Sequence, residues 1–127
     1  MNDLQSLIEQ AQDNNPRVRA KAAQELGNSG SVQAIDVLTY ALHDEHIIVA
    51  RTAALSLGKI GGCEVVAPLA VLLEHDNLWL RKAAVQALGL AKCEDAAPLL
   101  VNILADEDLH VLAREALIAL KVDPDFF

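Results

Sequence analysis

The chain has 127 residues, 53% of them hydrophobic but only 3% aromatic, and carries a formal net charge of −8. That length suits one domain, and a core so poor in aromatics must be built from Ala, Leu, Val and Ile. The excess of acids counts against a general nucleic-acid binder, which is normally basic, and no apolar run approaches the ~20 residues that cross a bilayer.

Leu4, Leu7, Ile8 and Ala11 form an i, i+3, i+4, i+7 stripe among Gln5, Glu9, Gln10 and Gln12, which predicts a first helix with a polar outer face. Its surroundings lack the basic and apolar regions of a signal peptide, so a cytoplasmic location is expected. Asn15-Pro16 supplies an N-cap and a proline at the first position of a second helix. That helix is expected to end at Gly27, in the left-handed conformation that glycine tolerates, and Asn28 to Ser31 forms the loop onward.

The second unit places one helix through Ile35, Val37, Leu38, Ala41 and Leu42, a turn at His43-Asp44-Glu45, and a partner helix from about His46 to Lys59. Gly61-Gly62 breaks the chain. The third unit repeats the plan: Val65 to Leu73, a turn at Glu74 to Asn77, then Leu78 to Leu90. In the fourth, Leu99, Leu100 and Leu104 precede a turn at Asp106-Glu107-Asp108 and a helix from Leu109 to Lys121. Pro68 and Pro98 fall in the first turn of their helices, where a missing amide donor matters little.

One stretch recurs. Val18-Arg19-Ala20-Lys21-Ala22-Ala23-Gln24-Glu25-Leu26-Gly27 returns as Val49 to Gly58 and as Leu80 to Gly89, so that Gly27, Gly58 and Gly89 stand 31 residues apart. A fixed period of this size marks a solenoid, in which each unit is too small to bury its own apolar face and must stack on its neighbours. The expected fold is all-α: a solenoid of four helical hairpins, about eight helices, in a right-handed stack. Repeats fall at about residues 3–27, 31–59, 63–90 and 94–121, with a tail at 122–127. Arg114 and Lys121 fit the pattern poorly, which marks the last helix as a cap. Phe126 and Phe127 are expected to cover the final apolar edge, or else to form a homodimer contact.

Cys63 and Cys93 occupy matching places in successive repeats. Stacked helices lie about 8–10 Å apart, whereas bridged Cα atoms come within about 7 Å, so two reduced structural thiols are expected. His43, His46, His75 and His110 sit in or beside turns and predict no metal site; no catalytic constellation and no cofactor motif can be read.

With its period near 31, its Val-Arg-x-x-Ala-Ala-x-x-Leu-Gly core and its early prolines, the chain resembles the short HEAT-like repeats of phycobilin lyases. The resemblance implies that the second helix of each pair lines a concave surface. All ten Lys and Arg residues lie in or at the ends of those second helices. Arg19 and Arg81 are expected to pair with turn carboxylates, with Asp13, Asp44 and Asp76 as candidates, whereas Arg51 sits one place later. Counting from Val18, Val49, Leu80 and Val111 as equivalent core positions gives the residues that should face the groove. Ala20, Lys21, Gln24 and Asn28 belong to the first unit, and Arg51, Thr52, Leu55 and Lys59 to the second. Lys82, Ala83, Gln86 and Leu90 belong to the third, and Ala113, Arg114, Leu117 and Lys121 to the fourth. Ile48 and Trp79 lie just before the core positions.

The expected partner-binding set is therefore Ile48, Arg51, Leu55, Lys59, Trp79, Lys82, Gln86, Leu90 and Arg114. Tryptophan and arginine dominate interface hot spots, and cations attract acidic segments. The leading expectation is a non-catalytic module that binds an acidic or amphipathic protein segment. Two alternatives stand beside it: a lyase-like subunit holding an open-chain tetrapyrrole, and phosphate-backbone binding by the cationic groove, which the acidic exterior opposes.

Overall fold

The computed structural model describes residues 3–126, and those residues form four helical hairpins. The first helices are short: α1 (Leu4–Gln10), α3 (Ile35–Ala41), α5 (Val66–Leu72) and α7 (Ala97–Ile103). Each is followed by a longer one: α2 (Pro16–Ser29), α4 (Ile47–Ile60), α6 (Leu78–Leu90) and α8 (His110–Ala119). Three-residue 3₁₀ turns, Val32–Ala34, Cys63–Val65 and Glu94–Ala96, lead into α3, α5 and α7, and a further one, Pro124–Phe126, follows α8. Phe127 and the side chain of Phe126, expected to form a cover or a dimer contact, lie outside the described residues.

Each hairpin turn is built at the same place. Asp13, Asp44 and Asp106 accept the backbone N–H two residues later, at 2.8, 2.9 and 2.8 Å. At the matching place in the third hairpin, His75 Nδ1 accepts from Asn77 N–H at 3.0 Å. One of the turn histidines is thus a turn former. Asn15 and Asn77 then cap α2 and α6 through their side chains, as the N-cap position favours.

Arginine at the Val-Arg position closes the turn from inside the hairpin. Arg19 Nη1 donates to the Asp13 and Asn14 carbonyls at 2.8 and 3.0 Å, and Arg81 Nη1 to those of His75 and Asp76 at 2.7 and 3.0 Å. Of the expected carboxylate partners, only Asp44 is engaged, by Arg19 through two hydrogen bonds of 2.8 and 3.1 Å. Asp13 and Asp76 offer their carbonyls instead. Burial by itself pushes the Asp44 carboxyl up, but the Arg19 hydrogen bond, the His46 amide and the Arg19 charge outweigh it and hold the group below the usual carboxylate range. A depressed folded-state pKa stabilises above the unfolded value, and that contribution is lost as pH falls through the folded one. The stability difference between wild type and Asp44→Asn is therefore expected to be full at neutral pH and to vanish in acid. Thermal unfolding across pH checks this; a difference independent of pH would remove the ion pair as its cause.

The second helices make a continuous layer, α2 on α4, α4 on α6 and α6 on α8, whereas each first helix rests chiefly on its own partner. A stack that packs more closely along one layer curves toward it, so the second helices form the inner side. The periodic glycines make that closeness possible. Gly27 does not end its helix, where the sequence suggests an end: like Gly58 and Gly89 within α4 and α6, it lies inside α2. A Cβ on Gly27 would fall 2.5 Å from Ser56 Cβ, one on Gly58 2.8 Å from Ala87 Cα, and one on Gly89 2.9 Å from Ala116 Cα. The Ser56 hydroxyl, buried in this seam, donates to the Ala23 carbonyl at 2.7 Å. Leu26, Leu38, Leu57, Leu69, Leu88, Leu100 and Leu117 fill the space between the two layers, each fully buried.

The cysteines correct a second expectation. Cys63 and Cys93 form a disulfide with a Cα separation of 5.1 Å. The spacing of helix axes is the wrong measure, because both residues lie in the linkers between hairpins. Gly61 and Gly62, at φ 76° and 90°, carry one linker directly against the next, where Gly62 N–H donates to the Ala91 carbonyl at 2.9 Å.

Candidate functional site

The inner face of α2, α4 and α6 carries most of the expected binding residues. Ile48 and Trp79, 71% and 59% exposed, begin α4 and α6 side by side. Neither is packed away between units. The Lys82 ammonium sits over the Trp79 ring, 4.9 Å from its centroid, a cation–π contact that holds the indole in place. Arg51 and Gln86 are exposed, Leu90 is 47% exposed and Leu55 half-buried. Lys59 Nζ donates across the stack to Asn28 Oδ1 at 3.2 Å. Ala83 does not face the groove; it is buried against the core.

The fourth unit departs from the expected register. Its turn is two residues shorter, so that Leu109, Ala113, Ala116, Leu117 and Leu120 follow their counterparts Leu80, Ala84, Ala87, Leu88 and Ala91 by 29 residues. All ten of these side chains are buried. Lys92 and Lys121, related by the same interval, share a left-handed backbone at φ 59° and 64°. Val111, taken as a core position, is instead 56% exposed, while Ala113 and Leu117 are buried. Arg114 leaves the groove set: its Nη1 pairs with Asp125 at 2.8 Å, tying the tail to α8. That contact, a hydrogen bond first and a charge attraction second, holds the Asp125 carboxyl below its ordinary range.

The residues that α8 brings to the groove are Leu112, Glu115 and Ala119, which counting from Val111 misses. Aligning the buried alanines Ala113 and Ala116 with Ala84 and Ala87 would have found them. Together with Leu55, Gln86 and Leu90 they line a shallow, largely apolar cleft of about 320 Å³. A second hollow, of about 390 Å³, lies among Pro16, Arg17, Ala20, His46, Ile47 and Ile48 at the start of α2 and α4. Ile48 and Leu55, about two turns apart on α4, border one hollow each, with Arg51 between them in the helix. Nothing in it is arranged as a nucleophile with a base, and among the described residues the one grouping with metal-ligand character is Cys63, Cys93 and Asp95. No helix here is long and apolar enough to cross a membrane.

Helical hairpins stacked on a small-residue seam, with an extended apolar and cationic inner face, define an α-solenoid. The chain belongs to the HEAT-repeat family, whose model matches residues 4–77 and 62–121. Its repeats are of the type carried by phycobilin lyase subunits. It is 33% identical over 73 residues to the phycocyanobilin lyase subunit alpha of Synechococcus elongatus, covering 58% of this chain and 27% of that one. It is 29% identical over 97 residues to an uncharacterized phycocyanin operon protein Z of Pseudanabaena tenuis, covering 76% and 48%. A solved structure of the complex of CpcE and CpcF of phycocyanin lyase from Nostoc superposes with a TM-score of 0.82 at 28% identity, over 94% of this chain and 54% of that one. The chain therefore spans about half or less of the length of these relatives.

Proposed function

We propose that this chain is a non-catalytic interaction module that binds an acidic, amphipathic protein segment along the inner face of α2, α4 and α6. The observation that carries this reading is the exposed Trp79–Lys82 pair beside Ile48 and Arg51, continuous with the Leu55–Leu90 cleft. An exposed indole held by a lysine offers a large contact area already ordered before binding, which lowers the entropy lost on association. Arg51, Lys82 and Lys59 attract carboxylates, whereas Glu115 at the far wall of the cleft rejects them and so fixes the direction of the bound segment. The superposition on a subunit of a two-protein lyase complex agrees with a protein partner.

A second reading has its own support. The relatives named as phycocyanobilin lyase subunits make an open-chain tetrapyrrole a candidate ligand, its rings on Trp79 and its propionates on Arg51 or Lys82. Selection from a phage-displayed peptide library separates the two. The first reading expects enriched peptides with carboxylates and apolar residues at helical spacing, bound at least about tenfold more weakly by Arg51→Glu or Trp79→Ala. No enrichment, together with a shifted absorption band on adding phycocyanobilin that Trp79→Ala abolishes, would replace it by the second.

A further inference from the structure

We propose that Cys63–Cys93 is a thiol–disulfide exchange site, at which a small or protein thiol attacks Cys63 and frees the linkers on either side of the third hairpin. The exchange does not depend on what occupies the groove.

The repeat does not require this bond. Residues Ser31 and Val32 hold the corresponding places in the preceding linker, where the Ser31 N–H turns back to Ser29 Oγ at 3.3 Å. The third hairpin alone has the start of its chain bonded to its end. Its two cysteines differ in burial: Cys63 is an exposed residue, whereas Cys93 is 3% exposed. Beside Cys63 stands Gly62, at φ 90° with nothing within 4 Å of where its Cβ would be. An attacking sulfur thus has an open path to Cys63 and none to Cys93.

The step balances. A thiolate attacks Cys63 Sγ, and the new sulfur–sulfur bond forms as the old one breaks, its electron pair leaving on Cys93 Sγ, which takes up a proton. A second thiol then attacks the mixed disulfide and expels Cys63 as a thiol. Two electrons and two protons pass to the cysteines, and the incoming dithiol is oxidised to its disulfide. The Asp95 carboxylate, within 4.8 Å of both sulfurs, opposes thiolate at either position and slows anionic attackers.

After reduction the linkers are held by the Gly62–Ala91 hydrogen bond and by packing. A disulfide stabilises chiefly by restricting the unfolded chain, so its reduction lowers Tm.

The test is to incubate the folded, oxidised protein with glutathione, and separately with dithiothreitol, without denaturant, then alkylate and map the peptides. The expected result is reduction of the folded protein, trapped glutathione on Cys63 only, and a Tm lowered by about 10 °C. Asp95→Asn is expected to react severalfold faster. With glutathione disulfide as the reagent, Cys93→Ser is expected to take up glutathione on Cys63 and release one reduced glutathione, while Cys63→Ser leaves Cys93 unmodified. Reduction only on unfolding, glutathione on Cys93, or an unchanged Tm after reduction would each overturn the proposal.

Discussion

Gly58→Val is expected to destabilise the protein by roughly 3 kcal/mol, although the change removes a glycine from the interior of a helix. In an isolated helix the substitution would be favourable, because glycine is a poorer helix former than valine by a few tenths of a kcal/mol. Here a Cβ at position 58 would lie 2.8 Å from both Cα and O of Ala87. Those are backbone atoms of α6, which no rotamer change can move aside. The two helices must part, and the leucines packed between the layers lose contact with them. Urea unfolding of the variant beside Arg51→Ala, an exposed change on the same helix expected to stay within about 0.5 kcal/mol, measures this. Equal stabilities would mean that the seam is not closely packed.

Leu57→Ala is expected to cost about 3–4 kcal/mol and to lower Tm by roughly 12 °C. Leu57 is fully buried in the second hairpin, where the lost methyl groups leave a cavity that rigid helices cannot close. Its place in the chain raises the consequence. In a stack held by nearest neighbours, weakening an inner unit parts the array into shorter pieces, whereas weakening the end frays one terminus. Leu57→Ala is therefore expected to broaden the unfolding transition more than Leu117→Ala, a difference that calorimetry resolves. Transitions of equal width would indicate that the whole chain melts as one unit.

The repeat itself was legible, because stacking forces the same apolar positions to recur every 31 residues. So was the cap at Asn15, which supplies a side-chain acceptor before the first helical turn. Gly27 reads as a helix end because a glycine late in a helical pattern signals a C-cap equally well. Only the neighbouring helix shows that the space above Gly58 is already taken. The disulfide escaped for a related reason: linker paths depend on the positive φ at Gly61 and Gly62, and helix spacing says nothing about them. The fourth unit was counted from the wrong residue, as a turn shortened by two leaves Val111 looking like Val49. In the groove, the face of α4 and α6 could be placed from Val49 and Leu80, but the contribution of α8 could not. Leu112 and Glu115 come into view only when Ala113 and Ala116 are aligned with Ala84 and Ala87, in place of Val111 with Leu80.

The seam of Gly27 with Ser56, Gly58 with Ala87 and Gly89 with Ala116 has a mechanical meaning. Backbones already touching cannot be compressed, and sliding them apart exposes the buried leucines, so this line keeps its length when the molecule flexes. It acts as the neutral axis of a curved beam. Strain from bending falls on the short first helices, which have little contact with one another. The spacing along the inner face is thereby conserved, while the outer surface opens and closes like the pages of a book held at its spine.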